Sequence, residues 1–253
     1  ALVPFRVRAG DSSAFLSYRT ILRTIKGLQV ELQPDSSLAW QPSLLALAGT
    51  TAPTWGEDDF DQDVFAGASL GIGGARGAAF ANVVHARREA LGAIAAHEQT
   101  VASLGLERQV ELAGENVALF GELAWLTGDV VSNGALLEDR SGLGGVVELR
   151  RAMRRPLGYR FRFEQYRADF APSGANVPSD RRSIEGHASW RFASGLALRG
   201  RVQSFRDALD GPNPIDTHTV GLALTGPLGA AGATGVIDGF HQWRESRDGV
   251  VDA

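Results

Sequence analysis

Polar and apolar residues alternate along this chain in runs of about 9–11 residues, and the connections between runs alternate between short and long. No interval approaches the ~18 uninterrupted apolar residues of a transmembrane helix. These three observations predict an all-β protein: an antiparallel, up-and-down transmembrane β-barrel with about 12–14 strands in this segment, tight turns at one rim and long loops at the other. The physical reason is the two-residue period of a strand, which sends successive side chains to opposite faces. At about 3.3 Å per residue and a tilt near 45°, a run of this length crosses about 25 Å of hydrocarbon.

The elements follow in chain order. The start, Ala1 to Arg8, lacks the basic-then-apolar layout of a signal peptide, which leaves a cytoplasmic protein and one whose leader is cleaved or omitted both open. Val117, Leu119, Gly121, Leu123 and Trp125 form a first clear row, opposed by Asn116, Ala118, Phe120, Glu122 and Ala124. Tyr159, Phe161 and Phe163 alternate with Arg160, Arg162 and Glu164. Ile184, Gly186, Ala188, Trp190 and Phe192 alternate with Glu185, His187, Ser189 and Arg191. Leu196, Leu198, Gly200 and Val202 stand against Arg199, Arg201 and Gln203, and Val220, Leu222 and Leu224 against Thr219, Gly221, Ala223 and Thr225. The weakest stretch is 90–112, where Leu91, Ile94, Glu98, Val101 and Gly105 also fit helical spacing, so a short helix is an alternative there.

Short connections are expected at 34–36, 73–76, 113–115, 154–156, 193–195 and 229–232, and long loops at 11–20, 50–62, 88–99, 128–140, 171–180 and 208–216. Greek-key sandwiches give no reason for such alternation, whereas a meander does. The count comes to about thirteen strands. The whole chain, 1–253, is read as one barrel domain, incomplete at the C-terminus and a candidate for extension at the N-terminus.

The segments FGELAWLTGD (120–129), YRFRFEQYRADF (159–170), IEGHASWRF (184–192) and LALRGRVQSFRD (196–207) together resemble the outer-membrane β-barrel proteins of Gram-negative bacteria. The resemblance is to an architectural class. It implies a bacterial outer-membrane location and aromatic girdles at the two interfaces. Tyr159, Trp190 and Phe192 then fall at the short-turn rim and Trp125 and Trp243 toward the long-loop rim, with Phe161, Phe163 and Leu198 facing lipid. Two features depart from the class: the last residues, Gly249 to Ala253, lack a terminal aromatic strand, and single-chain bacterial barrels carry an even strand number. A larger barrel or a miscounted strand would account for both.

Composition narrows the function. Of 253 residues, 44 % are hydrophobic and 21 % charged, which excludes a disordered tail. A net charge of -4 argues against nucleic acid as a partner. Cysteine is absent, which removes disulfides and thiolate chemistry. Lys26 is the only lysine, so the positive charge is carried almost wholly by arginine.

Arg160, Arg162, Arg191, Arg199 and Arg201 are placed on a water-facing surface with Glu164, Glu185, His187 and Gln203 among them. As a functional group they form a basic stripe in a pore that attracts acidic or phosphorylated solutes. As a structural group they form an Arg–Glu ladder that stiffens the wall. The interleaved acids favour the ladder.

Other motifs carry less. Asp59, Asp61 and Asp63 open with calcium-loop spacing, yet Val64 and Leu70 occupy the sixth and twelfth places, leaving a solvated loop with weak surface calcium as the alternative. Gly10-Asp11-Ser12 matches a GDS-esterase block without the required α/β alternation, and Asp216-Thr217-His218 has the wrong spacing for its partners. Gly71 to Gly77 misses a dinucleotide loop by one place and reads better as a tight turn. His85, His97, His187, His218 and His241 share no metal spacing. His187 with Ser189 on one strand face is a minimal hydrolase pair without an assigned acid.

The sequence therefore predicts a barrel without catalysis, cofactor or metal, acting as a pore or as the embedded part of an export or envelope assembly. Its partners are the lipid bilayer and other envelope proteins. The alternatives are a partner-docking barrel with a blocked lumen, a lipid hydrolase, and a soluble all-β binding protein such as a sandwich or propeller.

Overall fold

The computed structural model describes residues 5–32, 39–51, 63–90, 95–112, 114–132, 135–151, 156–228, 233–246 and 249–251. They form strands β1 (Phe5–Ser17), β2 (Ile21–Leu32), β3 (Trp40–Thr50), β4 (Asp63–Gly74), β5 (Gly77–Arg88), β6 (His97–Leu112) and β7 (Glu115–Ser132). They continue with β8 (Ala135–Arg151), β9 (Leu157–Tyr166), β10 (Arg181–Arg191), β11 (Ala197–Asp207), β12 (Ile215–Leu228), β13 (Ala233–Ser246) and β14 (Gly249–Val251). All belong to one sheet whose strand order is the sequence order, an antiparallel up-and-down meander. Among the described residues β1 and β14 do not pair with each other, so the sheet is not closed.

Three expectations about the connections are corrected. The loop expected at 11–20 is strand β1 through Ser17 followed by the turn Tyr18 to Thr20, because Ser12, Ser13 and Ala14 pair with Ile25, Thr24 and Arg23. The loop expected at 128–140 lies almost wholly in β7 and β8. Its polar residues satisfy backbone there: the Asp129 carboxylate accepts from the amides of Glu98 and Asp139 at 3.2 and 3.3 Å. The helical alternative within 90–112 gives way to β6, since His97, Gln99, Val101 and Ser103 are all buried with a period of two. Strands β1–β13 run to between 10 and 18 residues, longer than the alternation suggested, because small polar residues continue the ladder. The tight turn within 71–77 is as expected: Gly74 pairs with Gly77 and a strand, not a helix, follows.

The chain divides into two compact units. The first comprises Ala1–Arg108, Glu122–Gly145 and Tyr166–Ser179. One of its faces is packed: Ala14, Ile21, Ile25, Leu47, Phe65, Val84 and Ala86 form one buried cluster. The opposite face exposes Leu28, Leu44, Leu70, Ile72, Val83 and Leu104. These fall on continuous ladder rows, such as Leu44, Leu70, Ala81 and Leu104 across β3 to β6. Both faces of this unit are thus rich in apolar residues.

The second unit comprises Gln109–Gly121, Val146–Gln165 and Asp180–Ala253. From β10 to β12 its faces differ sharply, while on β13 the exposed Val236 and Phe240 fall on the charged face, opposite Thr225 and Gly221. On one, ladder rows run Trp190, Leu198, Leu224, Ile237 and Gly186, Val202, Val220, His241 across β10 to β13. Trp190, Val202, Leu222 and Ile237 are exposed there with no layer of this unit over them. The other face carries Glu185, His187, Arg199, Arg201 and Gln203.

Candidate functional site

In the second unit, β9, β10 and β11 bring the predicted charged residues onto one face. Arg160 donates to Glu148 at 2.9 Å, and Arg162 is bonded to Glu164. Glu185 accepts from His187 at 2.9 Å and from Arg201 at 3.3 Å, and Arg201 also donates to Gln203 at 2.8 Å. Cross-strand pairing of Glu185 with Gln203 and His187 with Arg201 sets this up, since directly opposed side chains stand about 5 Å apart. For these three arginines the ladder arrangement holds.

It stops at the next two. Arg191 and Arg199 are exposed and have no polar partner among the described residues. Arg199 pairs across the ladder with Ser189, and Arg191 with Ala197, so the two cations are near neighbours on that face. A cavity of about 330 Å³ borders His187, Ser189, Arg191 and Arg199, together with Ala188, Trp190, Ala197 and Gly200.

In the first unit a feature absent from the sequence reading fills the packed face. A long loop was expected at 171–180, but much of the stretch 167–179 that follows β9 in this unit is packed inward. Phe170 is fully buried and stacks on Tyr166 with centroids 5.7 Å apart. Both rings join Val101, Ala124, Leu126 and Val130 in a second buried cluster. The stretch is pinned along its length: Arg167 N–H donates to Leu143 O at 3.0 Å, Ser173 N–H to Gln99 Oε1 at 2.9 Å, and Leu22 N–H to Gly174 O at 2.9 Å.

Glycines on β8 make the space. A Cβ on Gly142 would lie 2.3 Å from Asp169 O, and one on Gly144 would meet the rings of Tyr166 and Phe170 at 2.6 and 2.8 Å. The β1–β2 turn closes against the same interior. Ser17 Oγ accepts from the amides of Arg19 and Thr20 at 3.1 and 3.2 Å, which holds the turn tight. Arg19 then reaches Glu122 on β7 at 2.8 Å in an ion pair with side chains only 2 % and 1 % exposed. No spacing rule reveals that pair, which joins residues 103 apart in sequence. The only sequence trace of the inward stretch is the pair of glycines at 142 and 144.

The remaining predicted residues are placed as follows. Phe161 and Trp190 are 46 % and 47 % exposed, Phe192 and Trp125 are exposed, and Tyr159, Phe163, Leu198 and Trp243 are half-buried. The Trp243 ring stacks between His218 and His241, 5.3 Å from each, and its indole N–H donates to Glu245 at 3.1 Å. Asp59 and Asp61 lie outside the described residues. Asp63 is bonded to Thr51 and lies 4.0 Å from Arg88, so its carboxylate is already engaged. Among the described residues no group of three His, Cys, Asp or Glu is placed to hold a metal ion. Ser12 sits in mid-strand opposite Ile25. His187 does have an acid, Glu185, which the sequence reading left unassigned, but Arg201 shares it.

A scan against protein-family models finds no match to this chain, and a search of curated proteins finds none either.

Proposed function

We propose that this chain is the membrane-embedded sheet of a bacterial outer-membrane β-barrel whose polar face lines a passage for small solutes and performs no catalysis. The observation that carries the proposal is the two-faced second unit. Alternate residues on β10 to β12, among them Ile184, Trp190, Val202 and Leu222, expose an apolar surface, while the residues between them on β10 and β11 carry a hydrogen-bonded charged network. A soluble monomer seldom leaves an apolar surface of that extent in water. A bilayer takes it without cost, provided that backbone groups are paired within the sheet.

Aromatic placement supports the same reading. Trp190 and Phe192 end one side of the apolar rows, and Trp243 with its two histidines ends the other, as interfacial girdles do. From Arg182 to Phe192 the strand rises about 33 Å along its axis, which is about 23 Å of membrane at a 45° tilt.

A second reading, a barrel that docks envelope partners with its lumen blocked, is favoured by the inward stretch 167–180 and the buried Arg19–Glu122 pair. Detergent-dependent solubility with heat-modifiable gel mobility tests the membrane reading common to both. Single-channel recording in planar bilayers separates them: steady conductance supports a passage, and its absence from folded protein supports the blocked barrel. Protein that stays monomeric and soluble without detergent would remove both.

A further inference from the structure

We infer that Arg191 and Arg199, with the cavity beside them, form a binding subsite for small solutes bearing a phosphate or carboxylate group. The inference deepens the passage reading and rests on it for access, but binding itself does not require conductance. The argument is one of charge accounting along a single face. Arg160, Arg162 and Arg201 each have a carboxylate within bonding distance, so their charge is spent on the wall. Among the described residues Arg191 and Arg199 have none.

Along the row of Arg199 the first inward carboxylate is Asp238, which pairs with Ala223, the strand neighbour of Arg199. Two strand spacings, about 10 Å, separate the two backbones, and no ion pair among the described residues joins Arg199 to it. Two guanidinium groups on one face repel one another, and an oxyanion held between them would relieve that repulsion. Guanidinium is the group suited to an oxyanion, because its forked N–H donors match two oxygens at once. Ser189 and His187, which border the same cavity, add a hydroxyl and an imidazole at its edge. A volume near 330 Å³ admits a small oxyanion-bearing molecule.

The test uses the folded chain in detergent micelles, with heat-modifiable mobility checked for every variant, and inorganic phosphate as the calorimetric probe at low ionic strength. Wild type is expected to bind phosphate, with affinity falling about tenfold in R191Q and in R199Q and becoming unmeasurable in the double variant. R191K/R199K keeps the charge and loses the fork, so it should recover only part of the affinity. Folded wild type that fails to bind phosphate, or an R191Q/R199Q protein that binds as well as wild type, overturns the inference. In planar bilayers under a KCl gradient the double variant should lose most of its anion preference. Phosphate binding without conductance would leave the subsite standing and remove the passage.

Discussion

Leu222 gives the most direct measure of what lies against the apolar face of the second unit. It is 60 % exposed and sits on the row that pairs Ala188, Gly200, Leu222 and Gly239. That row is six residues from Arg182 and four from Phe192, close to the middle of the apolar band. In water, Leu222→Arg at so exposed a site costs within about 0.5 kcal/mol. In hydrocarbon, an arginine at the midplane of a barrel's outer face costs about 2–4 kcal/mol. The difference is a factor of about 30 to 1000 in the folded-to-unfolded ratio, well beyond the error of an equilibrium measurement. The assay is reversible denaturant unfolding in phospholipid vesicles, following tryptophan fluorescence. Ile184→Arg, two residues from Arg182 at the band's edge, should lose less than about 1 kcal/mol. Thr219→Arg, on the opposite face between Gln203 and Gln242, should be near neutral. A Leu222→Arg protein as stable as the Thr219→Arg protein would refute the assignment of this face to lipid.

Three further outcomes are expected. Glu122→Gln leaves Arg19 charged and without its counter-ion inside the first unit, which should cost about 3–5 kcal/mol by the same unfolding assay. The paired change Arg19→Met with Glu122→Leu should recover most of that loss, since neither charge then remains buried. Gly144→Leu drives a side chain into the rings of Tyr166 and Phe170, so the stretch 167–180 should become cleavable by trypsin at Arg167 in folded protein, and single-channel conductance should rise. Asp216→Asn breaks the two-bonded, half-exposed Arg206–Asp216 pair at a strand end and should lower stability by no more than about 1 kcal/mol in the same unfolding assay.

How much of this was readable in the sequence differs between the two units for a physical reason. In the second unit one face meets nothing else in the unit and the other carries ionised groups, so Trp190, Leu198 and Leu224 alternate cleanly with Arg191, Arg199 and Ala223. In the first unit the packed face is itself apolar. Ile25, Leu47, Phe65 and Val84 are buried while Leu28, Leu44, Leu70 and Val83 are exposed, and a two-residue period of polarity cannot show when both phases are greasy. Small polar residues caused the loop errors: Ser12 and Ser13 read as part of one loop, and Asp129 as part of another, although each lies in a strand. The charged face was legible residue by residue, but which arginines are neutralised was not, because Glu148, the partner of Arg160, lies across a strand connection. In the sequence the inward stretch reads as irregular chain over 171–180, whereas 167–170 read with the strand motif before them. Its destination depends on room left by Gly142 and Gly144, and a missing side chain announces no partner.

The Arg19–Glu122 pair also bears on how the protein is made. Closing a loop of that size costs chain entropy before any contact rewards it, and folds dominated by such distant pairings form slowly. The bond from Arg19 to Glu122 therefore cannot form until β7 is in place, and Gly174 cannot cover the β1–β2 turn until the stretch after β9 has arrived. Early-formed strands must wait with their inner surface wet. Holding the nascent hairpins apart during that interval is a task for whatever escorts the chain, and maturation should show a late step in which Leu22 and Ser173 amide protons become protected together.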